Sequence, residues 1–437
     1  MLLKRTHLRW VLASLAASTF LVAAVGHADS MTDFLKQGTW NGYLRDYYFT
    51  RNFTATGAPN NLKANSFGGM FNYLTPTFGK GFSVGGTFWS AQDIFGLNNE
   101  TGNYSHLEPT LAGTQPIYTL GQAFVQWKGD NVLVRGGNQL MNSPWMGASD
   151  SRMVPATYQG VLADFTLTQG LDLIVAREFR WKSRTSSAFS ATNLYNANGF
   201  ANIYGGAPNA NVGTQTSGGT ATAGLTYKNG GASAQAWYYK FYGLTGAAYA
   251  DGSYVFKTGS SVSPVIGAQY LHESNSANNL LASSVNNSTY GVMAGINFSG
   301  DSLVASYNKI STNTGDFKNG SIVSPYSAGY ATDPLYTTSM TAGLVEKGVG
   351  NAWKLAGTFF FLGKQLRLIT SYARYNTQPN FANTNETDLD LTWFFPGALK
   401  GFSVRNRLGI VHGLNGSYGA PNLGTFYFNR VMLEYDF

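Results

Sequence analysis

The stretch Phe426-Tyr-Phe-Asn-Arg-Val-Met-Leu-Glu-Tyr-Asp-Phe437 decides the fold class of this chain. Its apolar positions are Val431, Leu433, Tyr435 and Phe437, and Arg430, Met432, Glu434 and Asp436 lie between them. A period of two is typical of a β-strand whose two faces meet different environments. Charged side chains rarely point into a packed core, so the charged face is expected to meet water. The pattern therefore indicates an apolar exterior around a wet interior.

Strand character recurs along the whole chain in segments of about ten residues, the length that crosses a membrane in a tilted β-barrel. The segments are 38–52, 66–75, 81–90, 118–128, 131–139, 157–167, 171–181, 220–228, 232–242, 247–257, 262–272, 288–298, 302–310, 352–361, 365–375, 386–395, 401–412 and 425–437. An even number of strands suits a bacterial barrel with both termini on the periplasmic side.

The connections support this assignment independently, because short and long ones alternate. Short connections rich in Gly, Asn and Asp, as tight hairpins require, occur at 75–80, 129–130, 168–170, 229–231, 258–261, 299–301, 362–364 and 396–400. Long ones occur at 53–65, 91–117, 140–156, 182–219, 273–287, 311–351, 376–385 and 413–424, and only 243–246 breaks the rule. We therefore predict an all-β fold, an 18-stranded antiparallel transmembrane β-barrel.

The first residues have the features of an export signal. Lys4, Arg5 and Arg9 precede an apolar run, and small residues at 26 and 28 suit cleavage, so we expect a signal peptide at 1–28 and one barrel domain at 29–437. A transmembrane helix is the alternative, but the run is short for one. Removing the three basic residues leaves 26 basic against 22 acidic side chains, a mild excess that does not suggest a nucleic-acid partner.

Signs of catalytic or metal-binding chemistry are weak. There is no cysteine, and His106, His272 and His412 are far apart in sequence, so we expect no catalytic site, no metal site and no cofactor. His412 ends a strand and is interpreted as a rim histidine, although a serine–histidine pair built from distant strands stays open.

Arginines occupy the lumenal parity of several strands. If the apolar neighbours in each strand face outward, then Arg405, Arg407, Arg430 and Arg135 face the lumen. Placing Arg45 and Arg51 in the lumen as well makes Asp46 face outward. Arginine near the bilayer midplane costs roughly 2–4 kcal/mol on the lipid side, which favours this choice. Such a row could pass carboxylates along the wall. Alternatively, the arginines pair with Glu434, Asp436, Asp388 or Asp390 and only stiffen it.

The third outer loop, 140–156, has features of a constriction. If it folds into the lumen, Asp150, Ser151 and Arg152 narrow the pore, and Pro144 and Pro155 limit its flexibility. An ordinary surface turn is the alternative.

Several segments resemble the OprD-type outer-membrane porins. They are 44–53, 150–155 with 158–160, 333–340 and 433–437, the last with the final aromatic of outer-membrane barrels. The resemblance implies a monomeric 18-stranded barrel in the outer membrane of a Gram-negative bacterium, with inward-folded outer loops. It also implies a basic ladder on one wall and an eyelet formed by loops three and seven. The ladder then maps onto Arg45, Arg51, Arg135, Arg405, Arg407 and Arg430, and the eyelet onto Asp150, Ser151, Arg152 and Asp333.

These observations together predict a diffusion channel for small carboxylate-bearing solutes such as amino acids, short peptides or aromatic acids. The expected partners are outer-membrane lipid and small anionic or zwitterionic solutes. A channel of the same family for sugars or amino sugars is the main alternative. An outer-membrane enzyme or adhesin is a further one.

Overall fold

The computed structural model describes residues 31–55, 61–94, 106–107, 116–149, 151–195, 216–277, 280–281, 283–327, 332–341, 343–378, 384–413 and 424–437. The expected signal peptide therefore lies outside the described residues. The long strands are β1 Thr39–Phe53, β2 Leu62–Leu74, β3 Phe82–Gln92, β4 Ile117–Lys128, β5 Val132–Gln139, β6 Thr157–Thr168, β7 Leu171–Lys182, β8 Thr220–Asn229, β9 Ala232–Phe241, β10 Thr245–Val255, β11 Val262–Asn275, β12 Asn286–Phe298, β13 Asp301–Ile310, β14 Val349–Phe361, β15 Leu366–Gln378, β16 Thr384–Phe394, β17 Phe402–His412 and β18 Phe426–Asp436.

Each long strand pairs antiparallel with its neighbours in sequence, and the last strand pairs with the first. In that closing pair Arg45 lies opposite Glu434 and Phe49 lies opposite Arg430. The predicted closed 18-stranded barrel is confirmed. Some strands are longer than expected at their outer ends: β2 begins at Leu62 because the ladder with β1 continues to Arg51.

The outward face of the barrel is apolar, as the period of two predicts. Leu44, Val125 and Leu433 are about half exposed on this face. Asp46 shares the outward parity of Leu44, and its Oδ1 accepts a hydrogen bond from Asn65 Nδ2 at 3.1 Å. That bond gives a polar partner to the carboxylate of Asp46, which lies on the apolar outward face of β1.

The short connections form tight turns at one end of the barrel. Ser299 and Gly300 both have positive φ, at 52° and 95°, which is the conformation of a two-residue hairpin turn. The long connections lie at the opposite end of the barrel. The one short connection at that end joins β9 and β10, as predicted from the sequence.

The described residues include two short α-helices, α1 Met31–Lys36 and α2 Leu344–Lys347, and three 3₁₀ helices, Phe317–Asn319, Leu362–Lys364 and Gly397–Leu399. In the described residues no helix has the length and apolar character needed to cross a membrane. A two-residue strand, His106–Leu107, pairs parallel with the start of β2.

The main packed core of the described residues lies inside the barrel rather than between layers. Side chains of the long loops, such as Trp145, Phe317 and Tyr326, are buried against lumenal side chains of the strands. The loops therefore fill the upper lumen and decide where a passage remains.

Candidate functional site

The described residues of loop 3, 140–149 and 151–156, fold into the lumen and are bound to the wall formed by β1. Three lumenal side chains donate hydrogen bonds to its backbone: Tyr43 Oη to the Met153 carbonyl at 3.4 Å, Arg45 Nη1 to the Arg152 carbonyl at 3.1 Å, and Tyr47 Oη to the Ser151 carbonyl at 3.0 Å. Because the donors come from one strand face, they hold the loop along that strand.

The other part of loop 3 reaches the opposite wall. Trp145 is almost fully buried, and its ring meets Tyr249 edge-on with 5.9 Å between ring centroids. Its backbone N–H also donates to Tyr239 Oη at 3.5 Å. Loop 3 thus spans the lumen from β1 to β9 and β10, which narrows the passage.

The described residues of loop 7, 311–327, 332–341 and 343–348, are fixed to a third sector of wall by lumenal carboxylates. Glu386 accepts hydrogen bonds from both the N–H and the hydroxyl of Thr341, each at 2.7 Å. Asp388 Oδ2 accepts the N–H of Met340 at 3.1 Å, and Lys354 Nζ donates to the Thr338 carbonyl at 2.7 Å. Acidic side chains of β16 therefore hold the backbone of the loop.

A cavity of about 390 Å³ remains between the two loops and the wall of β14–β17. Its lining residues are Ser149, Ser151, Thr332, Thr338, Ser339, Met340, Lys354, Ala356, Ile369, Thr370, Ser371, Asp388, Asp390, Arg405 and Arg407. Three cationic side chains face two carboxylates, so the lining carries a net charge of +1. Seven of the lining residues bear hydroxyl groups, and none of these residues is aromatic.

The charged centre of this cavity is a carboxylate shared by two guanidinium groups. Arg405 holds Asp390 with two hydrogen bonds, Nε to Oδ1 at 2.7 Å and Nη2 to Oδ2 at 2.5 Å. Arg407 Nε lies 3.0 Å from the same Oδ2. The strand register explains the cluster, because Asp390 and Arg407 are direct partners across β16 and β17.

Arg45 and Arg430 were expected on the solute path, and both instead lie beneath loop 3. They are 5% and 1% exposed. Arg45 forms an ion pair with Glu434 at 2.5 Å, and the Arg430 guanidinium stacks on Phe428 at 4.4 Å. The expectation of a row of arginines along the solute path did not include loop 3 lying over this part of the wall. Arg45, Arg405 and Arg407 do pair with lumenal carboxylates, which was the alternative considered for the arginine row.

The remaining two arginines of the expected ladder lie away from this cavity. Arg51 is near the outer end of β1, half-buried, with its guanidinium 5.7 Å from the Phe426 ring centre. Arg135 lies near the turn end of β5, where it stacks on Phe124 at 4.2 Å and donates to Gln126 Oε1.

The four expected constriction residues have different environments. Asp150 lies outside the described residues. Ser151 lines the cavity, and its Oγ accepts a hydrogen bond from Arg184. Arg152 is buried, with its guanidinium 4.9 Å from the Phe49 ring centre, so its side chain packs between loop and wall.

Asp333 lies within loop 7 rather than in the cavity lining. Its Oδ1 accepts hydrogen bonds from the Leu335 N–H at 3.1 Å and from Thr338 Oγ1 at 2.5 Å. Burial nevertheless raises the pKa of Asp333. The residue therefore shapes the eyelet loop from within.

Sequence reasoning missed Lys354 and Arg184. Lys354 could have been found from parity, because its neighbours Trp353 and Leu355 are both exposed on the outward face. Arg184 comes from the fourth outer loop, and no periodic signal marks it. In the described ranges no group of three His, Cys, Asp or Glu side chains could hold a metal ion. His412 is exposed at the rim and bonds Thr425 at 2.9 Å.

Comparison with known proteins points to one family. A family model described as outer membrane porin, OprD family, matches residues 32–332. The solved structure of Pseudomonas aeruginosa OccK9 (OpdG) superposes with a TM-score of 0.73 at 16% identity, covering 92% of this chain and 99% of that chain. Acinetobacter baumannii OccAB3 gives 0.73 at 15% identity, with the same coverages. Pseudomonas aeruginosa OpdK, solved with vanillate, gives 0.69 at 14%, covering 92% and 99%. No curated protein matches this chain.

Proposed function

This chain belongs to the OprD family of outer-membrane porins, and we propose that its pore selects small solutes bearing a carboxylate. It is a channel of the Gram-negative outer membrane, and members of this family are channels rather than enzymes. We propose that it acts as a single barrel, with passive diffusion through the cavity between loops 3 and 7.

The observation that carries the proposal is the pair of guanidinium groups around Asp390. Two positive charges share one carboxylate, and the cavity lining as a whole keeps a net positive charge. Guanidinium groups bind carboxylates through paired, charge-assisted hydrogen bonds. In our proposal a solute carboxylate competes with Asp390 for Arg405 and Arg407 as it passes, so binding is specific but reversible.

The other arginines have different proposed roles. Arg51 attracts anions near the outer opening, and Arg135 receives them towards the periplasmic end. Arg45 and Arg430 stabilise the wall on which loop 3 rests, so they act on selectivity through the width of the passage. Ser151, Arg152 and Asp333 shape the eyelet, and Asp150 belongs to the same loop by sequence.

The lining also bears on the class of acid. Seven hydroxyl-bearing residues can hydrogen-bond polar substituents, whereas none of the described lining residues offers an aromatic ring for stacking a flat solute. This favours amino acids and hydroxylated acids over aromatic acids such as vanillate, the ligand of the OpdK structure. A sugar or amino sugar is the second candidate, because the same hydroxyl groups suit it.

Solute uptake by liposomes containing the full barrel separates these classes. The panel is an amino acid, gluconate, vanillate and glucose, measured for the native chain and for Arg405→Gln/Arg407→Gln. We expect the double variant to lose most carboxylate uptake and to keep glucose uptake, because its cavity lining becomes net negative.

Two further variants keep this test sharp. Asp390→Asn combined with both Gln substitutions gives a neutral lining, and should restore part of the carboxylate uptake. Lys228→Gln/Lys400→Gln changes the charge equally at the exposed periplasmic end, and should leave uptake unchanged. Carboxylate uptake that is unaffected in a folded Arg405→Gln/Arg407→Gln barrel would contradict the proposal.

A further inference from the structure

A cluster of cationic side chains lies on the outward face of β7–β9, away from the lumen. Its members, called the outer basic cluster below, are Arg177, Arg180 and Lys240. Arg177 and Lys240 are both register partners of Ala221 on the strand between them. Their strands, β7 and β9, are two strand spacings apart, which is ~9.6 Å. Because Ala221 on β8 is small, no large side chain lies between the two cations.

A β-bulge produces this arrangement in β7. The register with β6 shifts at Phe179, so that Glu178 pairs with Gly160 and Arg180 pairs with Gln159. A simple alternation would send Arg180 into the lumen together with Glu178. The extra residue instead turns Arg180 outward, where it is exposed, whereas Glu178 stays buried inside.

Aromatic side chains surround the cluster. The Tyr242 ring lies 4.7 Å from the Arg177 guanidinium and 5.2 Å from Lys240 Nζ. Phe179 and Tyr238 are about half exposed on the same face. Aromatic residues of this kind form the girdle at the membrane–water interface of outer-membrane barrels.

Among the described residues of β7, β8 and β9, no acidic side chain lies on the outward face beside the cluster. Arg177 donates to the carbonyls of Glu178, Gly218 at 2.6 Å and Thr220 at 3.2 Å, and none of these bonds to neutral carbonyls neutralises its charge. The neighbouring Glu178 points inward and accepts a hydrogen bond from Tyr326 at 2.9 Å.

The height of the cluster identifies the leaflet. Lys240 lies nine residues beyond Gly231 of the periplasmic turn, which at ~3.3 Å per residue and ~40° tilt is about 23 Å above that turn. The apolar band of such barrels is ~25 Å tall, so Lys240 lies at the upper edge of this band and its long side chain extends into the outer headgroup region. In the Gram-negative outer membrane that region contains the phosphate groups of lipid A.

We propose that the outer basic cluster is a binding site for the phosphorylated lipid A moiety of lipopolysaccharide. Arg177 and Arg180 can hold phosphate oxygens bidentately, and Lys240 adds a point charge from the neighbouring strand. Tyr238 and Phe179 lie beside the sugar–acyl boundary of the same lipid. Since these side chains face lipid, the site is independent of solute selection in the lumen.

Binding of lipid A to the refolded full barrel in detergent, with EDTA present, tests this site. The probes are bisphosphorylated lipid A, dephosphorylated lipid A, phosphatidylglycerol and inorganic phosphate, and the readout is the dissociation constant by thermophoresis. We expect bisphosphorylated lipid A to bind most tightly, and Arg180→Gln and Lys240→Gln each to weaken it about fivefold, which corresponds to ~1 kcal/mol per cation.

Lys309→Gln is the matched control, because Lys309 is an exposed lysine nine residues beyond its own turn, at Gly300, at the same calculated height. It should change binding less than twofold. An equal loss for Lys309→Gln would overturn the proposal in favour of general rim electrostatics. Equal binding of dephosphorylated lipid A, phosphatidylglycerol or inorganic phosphate would also overturn it.

Discussion

Replacing Asp390 by Asn is the sharpest perturbation of the proposed selectivity centre. The side-chain shape is kept, but Arg405 and Arg407 lose the carboxylate that lies 2.5 Å and 3.0 Å from their nearest nitrogens. The cavity lining then changes from a net charge of +1 to +2. A solute carboxylate held by these guanidinium groups no longer competes with a protein carboxylate.

The magnitude follows from Coulomb's law. A solute carboxylate on the far edge of the guanidinium pair lies roughly 6 Å from Asp390, so the repulsion removed is ~0.7 kcal/mol at the dielectric constant of water and ~2.8 kcal/mol at 20. Binding of the solute should therefore tighten roughly threefold to a hundredfold.

Planar-bilayer recordings measure both consequences. In a KCl gradient the reversal potential of Asp390→Asn should shift towards that of chloride, and the concentration of gluconate that half-blocks the current should fall. Asp130→Asn makes the same charge change in an exposed periplasmic turn and should do neither. If the folded Asp390→Asn barrel keeps the native reversal potential and half-blocking concentration, the proposed competition is refuted.

Two other predictions concern the loops that narrow the pore. Trp145→Ala removes the buried contact of loop 3 with Tyr249, and such a loss costs about 3–5 kcal/mol for a large aromatic side chain. Because loop 3 is then held less firmly across the lumen, single-channel conductance should rise. An unchanged conductance would show that the loop is held without this contact. Burial raises the pKa of Asp333 above its ordinary 3.8, so docked loop 7 binds a proton that an undocked loop releases. Docking of loop 7 should therefore strengthen as pH falls from the raised pKa towards 3.8, and open-channel noise should decrease over that range. Asp333→Asn should abolish this pH dependence of the noise. If the noise of that variant keeps the same pH dependence, a group other than Asp333 causes it.

Much of the fold could be predicted from local pattern. The alternation in 426–437 and in the other strands places each side chain on one of two faces, since a β-strand has a period of two. Membrane and water differ so strongly that this parity is reliable, and Arg405 and Arg407 do face the lumen. The bulge at Phe179 is the kind of feature that parity cannot place, because one extra residue reverses every later side chain.

The candidate site was only partly predictable, because it depends on where the long loops lie. Arg45 and Arg405 look equivalent in sequence, because each is an inward arginine on one of the two strands that pair with β18. Loop 3 covers the first and leaves the second at the cavity, and nothing periodic in 140–156 encodes that choice.

The sequence by itself therefore determined the number of strands, their parity and the polar character of the lumen, because these depend on contacts between each residue and its solvent. Only the tertiary structure decided which arginines a solute can reach and which carboxylates oppose them. The physical reason is distance along the chain: Trp145 meets the hydroxyl of Tyr239 across 94 positions, and such contacts exist only once the barrel has closed around its loops.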